Sequence, residues 1–181
     1  MKETGFSLRA FDVEDNLKGY SITGKASRDL NRITLLYELS GPLDLLKIPL
    51  LSDKPCRKTR LWEETCIELF IGTKESETYW EFNLSPSLDW NVYRFNTYRE
   101  GMQEEPGFDS LPFQVQITGD ALRLSLGFDT SLMIGSYKPA ALGISTVLKS
   151  ITNRVCYWAL VHNGPVPDFH RKDSLIIELN P

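Results

Sequence analysis

The chain has little of what reactive, disulfide-stapled or membrane-spanning proteins are built on. Its 181 residues include three cysteines, Cys56, Cys66 and Cys156, and two histidines, His162 and His170. The cysteines make neither a C-x-x-C pair nor an even disulfide framework, so a reduced, cytoplasmic setting is expected for the chain as it stands. No apolar run approaches the ~20 residues that a membrane helix needs, and the charged opening MKETGFSLRA holds no signal-type apolar core. Positive charge is short too. The net charge is -4, and the cations are scattered apart from the cluster Lys54 to Arg60, which reads as a solvated loop. Nucleic acid and anionic membrane surfaces are therefore not expected as partners. There is no G-x-S-x-G elbow, and neither histidine has a triad context, so serine chemistry has no support. No stretch carries a helical apolar period, and no internal repeat is present.

What the sequence does contain is short alternating runs separated by turn signals. Phe6 to Phe11 is a first strand; Tyr20 to Arg28 and Arg32 to Leu39 form a hairpin around Asp29 to Asn31, with Leu30 the apolar exception in the turn. Phe113 to Thr118 and Leu122 to Phe128 make a second hairpin at Gly119-Asp120. Leu142 to Lys149, Val155 to His162 and Leu175 to Leu179 complete the β-rich segments. With the three runs described next, about eleven strands are expected, and that count predicts a single all-β domain, an antiparallel β-sandwich of jelly-roll type. Two irregular segments interrupt the pattern. Ser40 to Arg60 holds three prolines and many leucines, so it should pack over an edge or open end of the sheets, or present Pro42 to Leu51 to a protein partner. Thr97 to Pro112 is placed to rim a site.

The middle third organises the rest. In CIELFI, Ile67, Leu69 and Ile71 alternate with Cys66, Glu68 and Phe70. In YWEFNL, Trp80, Phe82 and Leu84 alternate with Tyr79, Glu81 and Asn83, which sends Trp80 to the core. From Trp90 onward, Tyr93 and Phe95 alternate with Trp90, Val92, Arg94 and Asn96. Paired as neighbours, these runs are expected to present Glu68, Glu81, Asn83 and Arg94 on one outward face, flanked by Trp62 and Trp90. Such a face can be ordinary solvated surface. It also suits a sugar, whose C–H faces lie on flat rings and whose hydroxyls need donors and acceptors in the ring plane. Trp62 and either Trp90 or Trp158 are candidates for the rings; the four polar residues are candidates for the readers.

Other chemistries are weaker on the same residues. A glycosidase needs two carboxyls at a defined separation, which Glu63, Glu64, Glu68 and Glu81 do not establish by spacing, and Arg94 beside them should keep both ionised. His162 and His170, with Asp168 between them, are weak candidates for a metal, since the spacing matches no known ligand pattern. Haem would need an axial ligand from Met102, Met133, His162 or His170, and there is no C-x-x-C-H attachment site. No cofactor is expected.

The segments RLWEETCIELFIG, YWEFNLSPSLDWNVYRF and YWALVHNGPVPDFHRKDSLIIEL, in this order, resemble the DOMON-like β-sandwich domains related to the family nine carbohydrate-binding modules. The resemblance covers about Arg60 to Leu179. It implies a sandwich with a ligand site on a concave face or at its rim, and relatives that bind sugars or haem without catalysing a reaction. In the sugar-binding relatives two tryptophans clamp a terminal sugar. By motif position Trp62 matches the first, while Trp90 and Trp158 compete for the second; Glu68 and Arg94 match polar readers. The expectation is a non-catalytic module for a small carbohydrate or other small molecule.

Overall fold

A computed structural model describes residues 3–12 and 19–181. Within them the alternating runs become thirteen strands: β1 (Glu3–Ser7), β2 (Arg9–Ala10), β3 (Ser21–Asp29), β4 (Arg32–Ser40), β5 (Cys66–Gly72), β6 (Tyr79–Leu84), β7 (Trp90–Phe95), β8 (Gln103–Glu104), β9 (Phe113–Thr118), β10 (Ala121–Asp129), β11 (Ala140–Lys149), β12 (Val155–Ala159) and β13 (Ile177–Leu179). The excess over eleven has a local cause. The first strand divides at Leu8 and changes sheets, and the rim segment contributes the two-residue β8 at an edge.

The strands form two antiparallel sheets, a β-sandwich. One sheet has five strands in the order β1-β3-β4-β10-β9; the other has eight, in the order β2-β12-β11-β5-β6-β7-β8, with β13 added beside β11. Both expected hairpins form. Leu30 sits in the left-handed region at φ 51°, in a two-residue turn between β3 and β4, with its side chain in solvent. The inner faces interlock as one apolar core. Ile67, Leu69 and Ile71 of β5 and Trp80, Phe82 and Leu84 of β6 face Ile33, Leu35 and Leu39 of β4 and the inward residues of β10. Within the leucine-rich segment, Leu43 and Leu46 seat in that core, whereas Leu45, Leu50 and Leu51 remain exposed.

Strand register corrects three site assignments. Asn83 pairs with Asn91, Phe82 with Val92 and Trp80 with Arg94, so the outward residues of β7 are Asn91, Tyr93 and Phe95. Paired residues share a face. Trp90 is therefore an inner-face residue, 4% exposed, opposite Leu84 and beneath the Arg57 guanidinium at 4.5 Å. Arg94 stands on that same side, at the sheet's edge, and does not join Glu68 and Glu81. Trp158 is also in the core, opposite Thr146. The physical reason is that β7 is apolar on both faces, so alternation alone does not reveal which of its faces is inside.

Candidate functional site

The outward face of the eight-stranded sheet is not open surface. Every residue of β5 and β6 is buried, although only alternate ones point inward. What covers the outward set is a second apolar cluster, Phe70, Tyr79, Tyr93 and Phe95, on which Trp62, Phe169 and Leu175 pack from loops. Trp62 is placed by a 3₁₀ turn, Leu61–Glu63, entered through Arg60 in the left-handed region at φ 61°. Its ring meets Tyr93 edge-on at 5.8 Å. Phe169 comes from the loop before β13 and meets Tyr157 of β12 at 6.0 Å, again edge-on.

Between these loops the sheet keeps a cleft of about 450 Å³, lined by Trp62, Phe95, Arg99, Met102, Val147, Tyr157, Pro167, Phe169 and His170, with Glu68 and Glu81 reaching it from the sheet. The two carboxyls lie on adjacent strands, Glu68 paired with Asn83 and Glu81 two residues away on the same side. Ser145 Oγ donates to Glu68 Oε2 at 3.1 Å, and Asn83 Nδ2 donates to Glu81 Oε1 at 2.8 Å. Burial raises the pKa of both well above the usual carboxylate range, and the charge of Glu81 raises Glu68 further; Arg99 pulls both back only in part. The acids thus sit in the cleft as a pair that resists full ionisation. This reverses the expectation that a neighbouring Arg94 keeps both ionised.

His170 is held by an aromatic box. Phe70 and Phe95 each meet its ring edge-on at 5.1 Å, and Tyr79 stacks on Phe95 at 4.8 Å. The Arg99 backbone N–H donates to the Tyr79 hydroxyl at 3.2 Å, and that hydroxyl lies 2.8 Å from His170 Nδ1. The hydroxyl is the donor in this bond when Nδ1 is bare and the acceptor when Nδ1 carries the imidazole proton. Nε2 points toward Glu81 Oε2 at 3.8 Å, a gap wider than a hydrogen bond. Burial, reinforced by Arg99 and opposed by Asp168, drives the His170 pKa down to about 4, so the ring is neutral. Asp168 braces this wall: Tyr98 Oη donates to its Oδ2 at 2.5 Å, Arg99 to Oδ1 at 2.9 Å, and the His170 backbone N–H to Oδ1 at 3.2 Å. Burial of Asp168 acts to raise its pKa, but those hydrogen bonds outweigh it and hold the carboxyl below its usual range.

Of the residues singled out from sequence, the structure brings Trp62, Glu68, Glu81 and Asn83 together, and separates Trp90, Arg94 and Trp158 from them. Sequence reasoning missed Arg99, Tyr157 and Phe169, and treated His170 only as a candidate ligand for a metal or for haem. The usable signal was Asp168-Phe169-His170, where a carboxylate two residues before a backbone N–H makes a local turn that fixes the intervening side chain. His162 lies elsewhere, its Nε2 at 2.8 Å from the Arg9 carbonyl oxygen and its ring against Phe11. Among the described residues no group of three or more His, Cys, Asp or Glu is arranged to hold a metal. Haem fits the cleft poorly, since its apolar ring would lie against the buried carboxyls Glu68 and Glu81.

No protein-family profile matches the chain, and no curated protein matches it by sequence. Solved structures do match. One from Bacteroides uniformis, provisionally described as a carbohydrate-binding protein, superposes with a TM-score of 0.69 at 14% identity, covering 98% of this chain and 85% of that one. A family nine carbohydrate-binding module from Caldicellulosiruptor kristjanssonii, in complex with glucose, gives 0.54 at 14% identity over 92% of this chain and 78% of its own. The same organism's family nine module in complex with cellotriose gives 0.56 at 12% identity, covering 98% and 81%. The fold is shared with carbohydrate-binding proteins. At these identities the likeness concerns the sandwich alone.

Proposed function

We propose that this chain is a non-catalytic module that binds a small carbohydrate in the cleft over the eight-stranded sheet. The observation that carries the reading is the combination of ring walls, Trp62, Tyr157 and Phe169, with a buried hydrogen-bonding floor, Glu68, Glu81 and Asn83, on a fold shared with sugar-binding modules. A pyranose laid between the walls covers its C–H faces, while its equatorial hydroxyls reach the carboxyls, Arg99 and Nε2 of His170. The aromatic clamp is then Trp62 with Tyr157 or Phe169, in place of Trp90 or Trp158. The narrower kinship with DOMON-like domains belongs to the same reading.

A glycan array followed by calorimetry on the whole chain tests it. Binding of a mono- or disaccharide, lost in Trp62→Ala, is the expected result, with no release of phenol from aryl glycosides. Silence across neutral and amino sugars at millimolar concentration would retire the proposal.

A further inference from the structure

We infer that the cleft is built for a sugar bearing a primary amine, its ammonium seated between Glu68 and Glu81. The inference rests on the carbohydrate reading above and narrows it to amino sugars. Both carboxyl residues are more than nine-tenths buried, at 4% and 5% exposure, yet both open onto the cleft. Their protein partners are neutral: the Ser145 hydroxyl for Glu68 and the Asn83 amide for Glu81. Among the described residues no hydrogen bond reaches Glu68 Oε1, and Glu81 Oε2 faces the neutral His170 ring across 3.8 Å. Arg99, the guanidinium that lines the cleft, is engaged by Asp168 at 2.9 Å.

Two buried carboxyls without a cation of their own are the complement of a cation. An ammonium brings three donors and one positive charge, and it would meet acceptor oxygens that the protein leaves free. A neutral hexose supplies hydroxyl donors but no charge, and an N-acetyl group replaces the cation with a bulkier neutral amide. The other titratable groups around the pair are Cys66, Tyr79, Tyr93 and Tyr157 on the sheet and Arg99, Asp168 and His170 on the loops. Because the empty cleft resists full ionisation of the pair, an arriving ammonium draws a carboxyl proton off into the buffer.

Calorimetry on the full chain near neutral pH, with glucosamine, N-acetylglucosamine and glucose as probes, tests the inference. Glucosamine should bind about 10- to 100-fold more tightly than glucose, the span expected of one charge-assisted hydrogen bond. Its apparent heat should change between buffers of different ionisation enthalpy, reporting a released proton. Glu68→Gln and Glu81→Gln preserve shape but remove the charge and turn one acceptor oxygen into an amide donor, and near-UV circular dichroism checks that each is folded. Both should lose the preference for glucosamine over glucose, whatever the change in glucose affinity itself. Equal affinity for glucosamine and glucose, or a preference that survives in both variants, would overturn the amine assignment and leave the carbohydrate reading standing. Silence with all three sugars would overturn both.

Discussion

The outer faces of the two sheets both carry polar side chains but treat them in opposite ways. On the five-stranded sheet a groove of about 390 Å³ runs over Lys25, Glu38, Gln114, Gln116 and Arg123, and its charges are exposed and paired, Arg123 with Glu38 and Lys25 with Glu3. On the eight-stranded sheet the loops carrying Trp62, Arg99 and Phe169 close over the face, and the acids beneath them are buried and bonded to neutral partners, while Arg99 is held by Asp168. An exposed ion pair in water is worth little, whereas a desolvated carboxyl pair costs free energy that a ligand can recover. Polarity on a sheet face therefore says less about binding than whether that polarity is roofed.

The sharpest test of the contrast uses the indoles. Trp90→Ala and Trp158→Ala empty the space between the sheets and should each cost about 3–5 kcal/mol of stability in denaturant melts. Trp62→Ala removes a cleft wall and should instead weaken sugar binding by about 1–3 kcal/mol in calorimetry. If Trp62→Ala proved as destabilising as Trp90→Ala with ligand affinity unchanged, the inner and outer roles assigned to these side chains would be exchanged.

Period-two alternation made part of this arrangement legible. In β6, one residue set is wholly apolar and the other contains Glu81 and Asn83, so the face of each was readable, and Glu68 followed by pairing. In β7, Trp90 and Val92 compete with Tyr93 and Phe95, and no sequence rule chooses between two apolar faces. The eight-stranded sheet is buried on both sides because its outer face lies under loops. Those loops were the illegible part: Arg99, Tyr157, Phe169 and His170 reach the cleft from segments far apart in the chain, and three of the four come from stretches with no periodic signal. Trp62 was found because it lies shortly before β5 and matches a clamping tryptophan by motif position.

The pH dependence of stability offers a second separation between the faces. A carboxyl whose pKa is higher folded than unfolded holds its proton longer in the native state, so stability falls as pH rises from the ordinary 4.5 through the raised value. His170 acts oppositely: with its pKa lowered from 6.5 to about 4, stability is lost as pH falls across that interval. The two effects compete below pH 6.5, and above it only the carboxyl effect remains. Glu68→Gln with Glu81→Gln should therefore be more stable than the unaltered chain at mildly alkaline pH, by about 1–3 kcal/mol, and the gap should close on acidification. Melting curves across pH check this. A gap that widened toward acid would mean that the pair is ionised in the native cleft.

The smallest effect should come from the open groove. Arg123 Nε donates to Glu38 Oε2 at 2.6 Å, but the two side chains are 54% and 39% exposed, so water and salt screen them. Arg123→Ala should cost about 0.2–1 kcal/mol at low ionic strength, less in high salt, and leave sugar affinity unchanged. A loss of ligand binding in this variant would place recognition on the five-stranded sheet. It would then be the solvated face, with its paired charges, that reads the sugar, and the roofed acids would be left as a buried structural pair.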